Sequence, residues 1–258
     1  MFRGFALVAV VLLVSACGAS TLPPPAAASP TAAPAVTPMP AGTYSSVSFN
    51  PAATFTVPGG WVLAEDSEQY LALVPSGNDL VGMYMFRDPK AASQDATCAA
   101  APEAGVGGTS SELVKWIQGR PGLVVSTPAM ATVGGLPGVA IDVALKADWT
   151  QSCPFSGGTP AVPLFNSPAI DHWVVVGNER LRLYLLDLPG GGTVVVDQDA
   201  FDGTQIEALI SSSSGILRSL QFATATAPAS AAPVSASPAS ASPASASPAS
   251  AAPASTTP

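Results

Sequence analysis

The sequence predicts an α+β fold: an antiparallel β-sheet meander packed with two helices, one mid-chain and one C-terminal, flanked by disordered Ala/Pro/Ser segments. Three observations predict it. Apolar residues in the middle of the chain recur mostly with period two, between short glycine or proline turns. Two segments switch to helical period behind capping signatures. Both flanks are free of charge beyond the leader: all 17 acidic and 9 basic residues precede Ala223, and none lies between Ala19 and Gly42. Of the 258 residues, 43–222 therefore form one domain's worth of chain. A chain of that size buries roughly 70% of its unfolded surface.

The strands follow in order. Tyr44 to Phe49 alternates, and Thr54 to Val57 leads through Pro58-Gly59-Gly60 to Trp61. Tyr70 to Val74 and Val81 to Phe86 flank the turn Pro75-Ser76-Gly77-Asn78-Asp79. Ala129 to Val133 and Val139 to Leu145 flank Gly134-Gly135-Leu136-Pro137-Gly138 as a second hairpin. Trp173 to Val176 is predicted to turn through Gly177-Asn178 into Arg180 to Leu188, and Pro189 to Gly192 then leads into Thr193 to Val196. Turns this short demand antiparallel neighbours, because a parallel crossover needs a dozen residues or more. The first helix starts at the capping box Thr109-Ser110-Ser111-Glu112, carries Leu113, Trp116 and Ile117 on one face, and ends at Gly119 and Pro121. The second is capped by Asp202 with Gln205 and has an apolar stripe of Ile206, Leu209, Ile210, Leu217 and Leu220. Its serine run, Ser211 to Ser214, and Gly215 weaken it, so sheet contact must stabilise it.

Residues 1–16 read as a signal peptide. Arg3 supplies one positive charge, and the apolar run Phe5 to Val14 is far short of the roughly 20 residues that span a membrane. The leader ends Val14-Ser15-Ala16-Cys17, which resembles the bacterial lipobox. The resemblance implies cleavage before Cys17 and a diacylglycerol on its thiol, with the protein anchored by lipid on the extracytoplasmic side of the cell membrane. Residues 17–42 then form a Pro/Ala-rich linker, about 25–30 Å long if flexible and up to about 75 Å if polyproline-like. Residues 223–258 repeat an approximate Ser-Ala-Ser-Pro-Ala unit, with Pro228, Pro233, Pro238, Pro243, Pro248, Pro253 and Pro258 at every fifth position. That proline density forbids a helix, and the composition predicts disorder. With Cys17 lipidated, Cys98 and Cys153 remain as one pair, and an oxidising envelope favours a disulfide between them.

The element order and a few residues carry a second resemblance. Phe55, Val57, Pro58, Gly60 and Trp61, two early hairpins, a mid-chain helix, a meander and a last helix ending Leu217-Arg218-Ser219-Leu220-Gln221-Phe222 resemble the PsbP-like fold of LpqN-type lipoproteins. Gln151 to Ile170, rich in Pro, Gly and Ser, departs from that pattern as an insertion. The resemblance implies a fold, not a role.

Chemistry is sparse. A net charge of -8 without a Lys or Arg cluster excludes a nucleic-acid partner. His172 is the sole histidine, and adjacent Asp171 would point to the opposite strand face, so a catalytic pair is not expected there. Asp197, Asp199 and Asp202 with Gly203 resemble a calcium loop, but the register fails, since Phe201 and Ala208 fall where ligands are needed. These acids read as a strand end and a helix N-terminus; no metal site and no cofactor is expected. Trp61, Trp116 and Trp173 read as core. Trp149, close to Cys153, reads either as a loop anchor or as a contact for a partner or glycan. The expected function is a surface-tethered, non-catalytic binding or assembly module for a cell-wall polymer, a lipid or an envelope protein. The alternative is an envelope hydrolase whose carboxylate pair assembles only in three dimensions. Labelled palmitate should enter the wild-type protein in its host and not a Cys17→Ala variant; equal incorporation in both would contradict the lipid anchor.

Overall fold

The computed structural model describes residues 37–223. The expected signal peptide, Cys17, the linker up to residue 36 and the tail from residue 224 lie outside the described residues. An eight-stranded sheet forms the middle layer. Its order runs β3 (Trp61–Asp66), β4 (Tyr70–Pro75), β5 (Val81–Arg87), β13 (Thr193–Ala200), β12 (Arg180–Asp187), β9 (Leu136–Leu145) and β7 (Leu123–Val125). The eighth strand, β8 (Ala129–Val133), pairs with the first half of β9 while β7 pairs with its end. Two three-stranded sheets complete the β structure: β1 (Gly42–Ser45), β2 (Ala53–Val57) and β14 (Gln221–Phe222), and β11 (Ile170–Val176), β10 (Ala161–Ser167) and β6 (Lys90–Ala91). Every one of these strand pairings is antiparallel. With two helices added, the α+β prediction is met.

Both faces of the main sheet are covered. On one lie α2 (Ile206–Ser219) and β2, where Leu209, Ile216, Leu220 and Phe55 meet Met83, Met85, Val194 and Val196. On the other lie α1 (Ser110–Gln118) and the β10–β11 pair, where Leu113, Ile117, Leu164, Phe165 and Val175 meet Phe86, Ile141, Leu183, Leu185 and Val195. Alternation along β13 sends Val194 and Val196 to the first core and Val195 to the second, so all of its residues are buried. Each Val, Leu or Phe buried this way contributes about 1.5–3 kcal/mol relative to exposure.

The predicted turns are mostly where the chain places them. The box at α1 is complete: Glu112 N–H donates to Thr109 Oγ1 at 3.3 Å, and Thr109 N–H donates to Glu112 Oε2 at 3.1 Å. Asp202 caps a short 3-10 turn, Gly203–Gln205, that runs into α2. The β8–β9 turn is tighter than expected. Val133 pairs with Leu136, leaving only Gly134 and Gly135, whose φ angles of 61° and 83° are those of a two-residue hairpin turn. The polar stretch in α2 is also partly buried. Ser213 Oγ accepts from Gln198 Nε2 on β13 and donates to the Leu209 carbonyl, both at 2.6 Å.

Two expectations fail. Gly177-Asn178 is not a hairpin: β11 pairs with β10, whereas β12 pairs with β9 and β13, so the turn carries the chain from one layer to the next. The stretch 151–170 is not a plain insertion, because it contains β10, the buried middle strand of its sheet. Pro163 interrupts that strand, and the register shifts between Pro163 and Phe165, where a bulge accommodates the missing donor.

Gly138 offers a direct test of strand proximity. A Cβ there would come within 2.0 Å of the Leu185 carbonyl oxygen on β12. Gly215 in α2 faces open space. Urea unfolding should therefore show Gly138→Ala losing about 2 kcal/mol or more by overpacking, and Gly215→Ala gaining up to about 1 kcal/mol by helix propensity.

Candidate functional site

The expected site residues sort cleanly. Cys98 and Cys153 are bonded, with Cα atoms 5.7 Å apart, inside the range a disulfide spans. The 55-residue separation gives a loop whose closure stabilises the fold by about 4 kcal/mol in the chain-entropy picture. His172 serves this loop rather than a nucleophile. Its Nε2 hydrogen-bonds the Cys98 carbonyl at 2.8 Å, and its ring lies 4.4 Å from that of Phe155. Trp149 is half-buried and donates its indole N–H to the Ala161 carbonyl at 3.1 Å, as a loop anchor would. Cys17 lies outside the described residues.

Asp197 and Asp199 are a correction. They do not mark an exposed strand end; both are buried within β13 on the face towards β11. Asp197 Oδ2 accepts from the Trp173 indole N–H at 2.8 Å, and its Oδ1 has no partner. Asp199 lies close to Glu179, a buried residue of the β11–β12 turn, and Asp199 Oδ1 likewise has no hydrogen-bond partner among the described residues. Glu179 Oε2 also accepts from the Val176 N–H at 2.7 Å. Aromatic rings wall the group in: Trp173 lies 4.8 Å from Tyr84 and 4.8 Å from Phe86, and Tyr70 lies 5.3 Å from Phe86.

No cation compensates these acids. The ion pairs among the described residues, Arg87–Asp88 and Arg182–Asp142, lie elsewhere. Three carboxylates without a counter-charge in such a site would cost several kcal/mol each, so they hold protons instead. Burial pushes Asp199 up to about 11, with Asp197 and Glu179 adding to the rise. It pushes Glu179 up to about 7 and Asp197 well above the usual carboxylate range. Burial also raises the Tyr70 and Tyr84 phenols, and the nearby acids raise them further. Two neighbouring carboxyls with raised pKa values have the groups for acid–base chemistry. They have no visible route to a substrate, because these side chains line neither of the two recesses described next.

The first recess is a groove of about 200 Å³ between α2 and the sheet. Val124, Val143, Ala144, Leu181, Ile206 and Ile210 make it apolar. Arg182 at its rim is held bidentately by Asp142 at 2.6 and 3.0 Å. Arg180 also lines it, and its guanidinium has no carboxylate partner among the described residues. The Arg180 stem passes close to Gly203 in the turn before α2, where a Cβ would collide with the Asn178 carbonyl and come within 2.7 Å of Arg180 Cγ. The second recess, about 440 Å³, opens beside the disulfide between Gln94 and Trp149.

No family model matches the chain, and no curated protein matches it. Among solved structures it is similar to LpqN, involved in cell envelope biogenesis of Mycobacterium tuberculosis, at 13% identity. That match covers 72% of this chain and 89% of LpqN, with a TM-score of 0.36. A protein from Bacteroides thetaiotaomicron is similar at 10% identity, over 66% of this chain and 44% of that one, with a TM-score of 0.28. At these scores neither likeness carries an argument about role.

The acid cluster has a signature in solution. Its carboxyls bind protons more tightly folded than unfolded, so their stabilisation is full below the unfolded value near pH 4 and is lost as pH rises towards the folded values. Each proton retained only by the folded state costs about 1.4 kcal/mol per pH unit, or roughly 3–5 °C in Tm for a domain this size. The Tm should fall between pH 5 and pH 9, and Asp199→Asn should flatten that fall. A flat wild-type profile would show that the acids are not protonated inside the fold.

Proposed function

We propose that this chain is a membrane-tethered binding module, not an enzyme, and that the groove between α2 and the β7–β9–β12 edge is its binding face. The lipobox-like Val14-Ser15-Ala16-Cys17 supports the tether, with the domain held on the extracytoplasmic side by acylated Cys17. The groove is the observation that carries the binding role. The apolar floor suits a ligand with a short aliphatic part; Asp142 and Glu207 line the groove as well as Arg180 and Arg182, and Arg180, which is in no ion pair among the described residues, is left to meet an anionic group. A fatty acyl chain ending in a carboxylate has that chemistry.

The hydrolase reading has a candidate pair in Glu179 and Asp199. Its weakness is access, since their exposures are 6% and 8% and Trp173 packs over the same face. Other acids are spent on structure. Asp66 accepts from the backbone N–H groups of Val47, Ser48 and Phe49, and Asp187 holds the first residue of α1 through Ser110.

Titration of the full mature chain with octanoate tests the proposal. Binding should saturate, and Ile210→Asp should weaken it at least about tenfold by placing a charge in the apolar floor. Arg180→Gln should weaken it less, because the guanidinium sits at the exposed edge. Absence of binding, or binding that Ile210→Asp leaves intact, contradicts the groove.

A further inference from the structure

The cavity beside the disulfide is unlike the α2 groove in size and in chemistry. At about 440 Å³ it falls within the roughly 300–1,000 Å³ of small-molecule sites. One wall is residues 94–98, the other residues 149–152, and the floor is residues 161–163 of β10.

Both walls are fixed in place. The Cys98–Cys153 bond ties the two loops together. Gln94 Nε2 donates to the Pro163 carbonyl at 2.9 Å, and the Trp149 indole N–H donates to the Ala161 carbonyl at 3.1 Å. Asp95 shapes its own loop, accepting from Thr97 N–H, Thr97 Oγ1 and Ala99 N–H on one oxygen and from Ser93 Oγ on the other. Gly122 lies flat against the indole of Trp149, where a Cβ would come within 2.6 Å of Cδ2 and Cε2. Close packing against Gly122 and the hydrogen bond to Ala161 position the ring before any ligand arrives.

What lines the cavity decides what it can hold. Thr150, Gln151 and Ser152 are exposed, and their side chains make no hydrogen bond among the described residues. Two hydroxyls and an amide supply both donors and acceptors, the combination that a ligand bearing hydroxyls needs. Trp149 adds an aromatic surface for the C–H face of a ring. No Lys or Arg lines the cavity, and Asp95 is its one charged residue, so an anionic ligand is disfavoured. Asp95 already accepts four hydrogen bonds, so it is no free base and the site can hold but not cleave.

We propose that this cavity is a saccharide-binding site, in which Trp149 stacks on an uncharged sugar ring and Thr150, Gln151 and Ser152 hydrogen-bond its hydroxyls. The site is independent of the α2 groove. The disulfide is the covalent tie between its two walls, so its shape should depend on the oxidised state.

Calorimetric titration of the full mature chain with cellobiose, maltose, mannobiose and N,N'-diacetylchitobiose tests it. At least one of these should bind at millimolar concentration or below. Trp149→Ala should weaken that binding by about tenfold or more, consistent with the 1–2 kcal/mol of a stacked ring. The double variant Gln151→Ala, Ser152→Ala changes only exposed side chains and should also weaken it, which separates lost contacts from a misfolded loop. Reduction of the disulfide should abolish binding while the far-ultraviolet circular dichroism of the sheet persists. Octanoate binding should be unchanged by Trp149→Ala, and saccharide binding unchanged by Ile210→Asp. Failure of all four sugars to bind overturns the proposal, as does binding that survives both the double variant and reduction.

Discussion

Strand β13 is buried on both faces, and the arrangement of the layers depends on it. It pairs with β5 on one side and β12 on the other, and it feeds side chains into both cores. Such a strand would ordinarily be aliphatic throughout, as Val194 to Val196 are. Its second half carries Asp197, Gln198 and Asp199 into an interior without a counter-charge. The fold accommodates them by partner and by proton. Gln198 reaches Ser213 in α2, Asp197 receives the Trp173 indole, and burial beside Asp197 and Glu179 favours the protonated form of Asp199. These contacts link α2, β11 and the β11–β12 turn to one strand. A polar network of this kind specifies one registration of layers where an all-apolar surface would tolerate several.

That allocation bears on function. The acids that might have served as general acid and base hold layers and turns together, and His172 holds the disulfide loop. Two of the open recesses lie near the β7–β9 edge. Val124 of β7 lines the groove on the α2 side, while Gly122, just before β7, backs the Trp149 that lines the cavity beside the disulfide. One edge of the sheet thus carries an apolar site with a cation and a polar site with an aromatic ring.

Much of the fold was legible because its turns announce themselves. Pro58-Gly59-Gly60, Gly134-Gly135 and Pro189 to Gly192 need backbone angles that glycine supplies, and Thr109 with Glu112 is a local cap that requires no tertiary information. Glycine chemistry marks a reversal without saying which strand the returning chain pairs with, which is why Gly177-Asn178 looked like a hairpin. Strand β10 was hidden by Pro163 and by an apolar run that does not alternate, since a strand buried on both faces has no polar period to detect. Asp197 and Asp199 read from the sequence as marking a strand end and a helix N-terminus, because acids outside ion pairs are usually found at such solvated positions. A usable signal did exist: they continue the period of Val194 to Val196 without a break, and a buried Trp173 requires an acceptor for its N–H. Neither recess could be seen in the sequence, since each gathers residues from segments far apart in the chain.

The account stands or falls on the state of the β13 acids. Residue-resolved carbon-13 NMR of the side-chain carboxyls of Asp197 and Asp199, followed from pH 3 to pH 9, reads that state directly. The account predicts that neither shows a titration step near the ordinary aspartate value of about 3.9 and that Asp199 keeps the chemical shift of a protonated carboxyl throughout the interval. Two ordinary titrations near that value would contradict it: the acids would then be solvated, the strand would not be sealed, and the carboxyl pair would again be a candidate for catalysis.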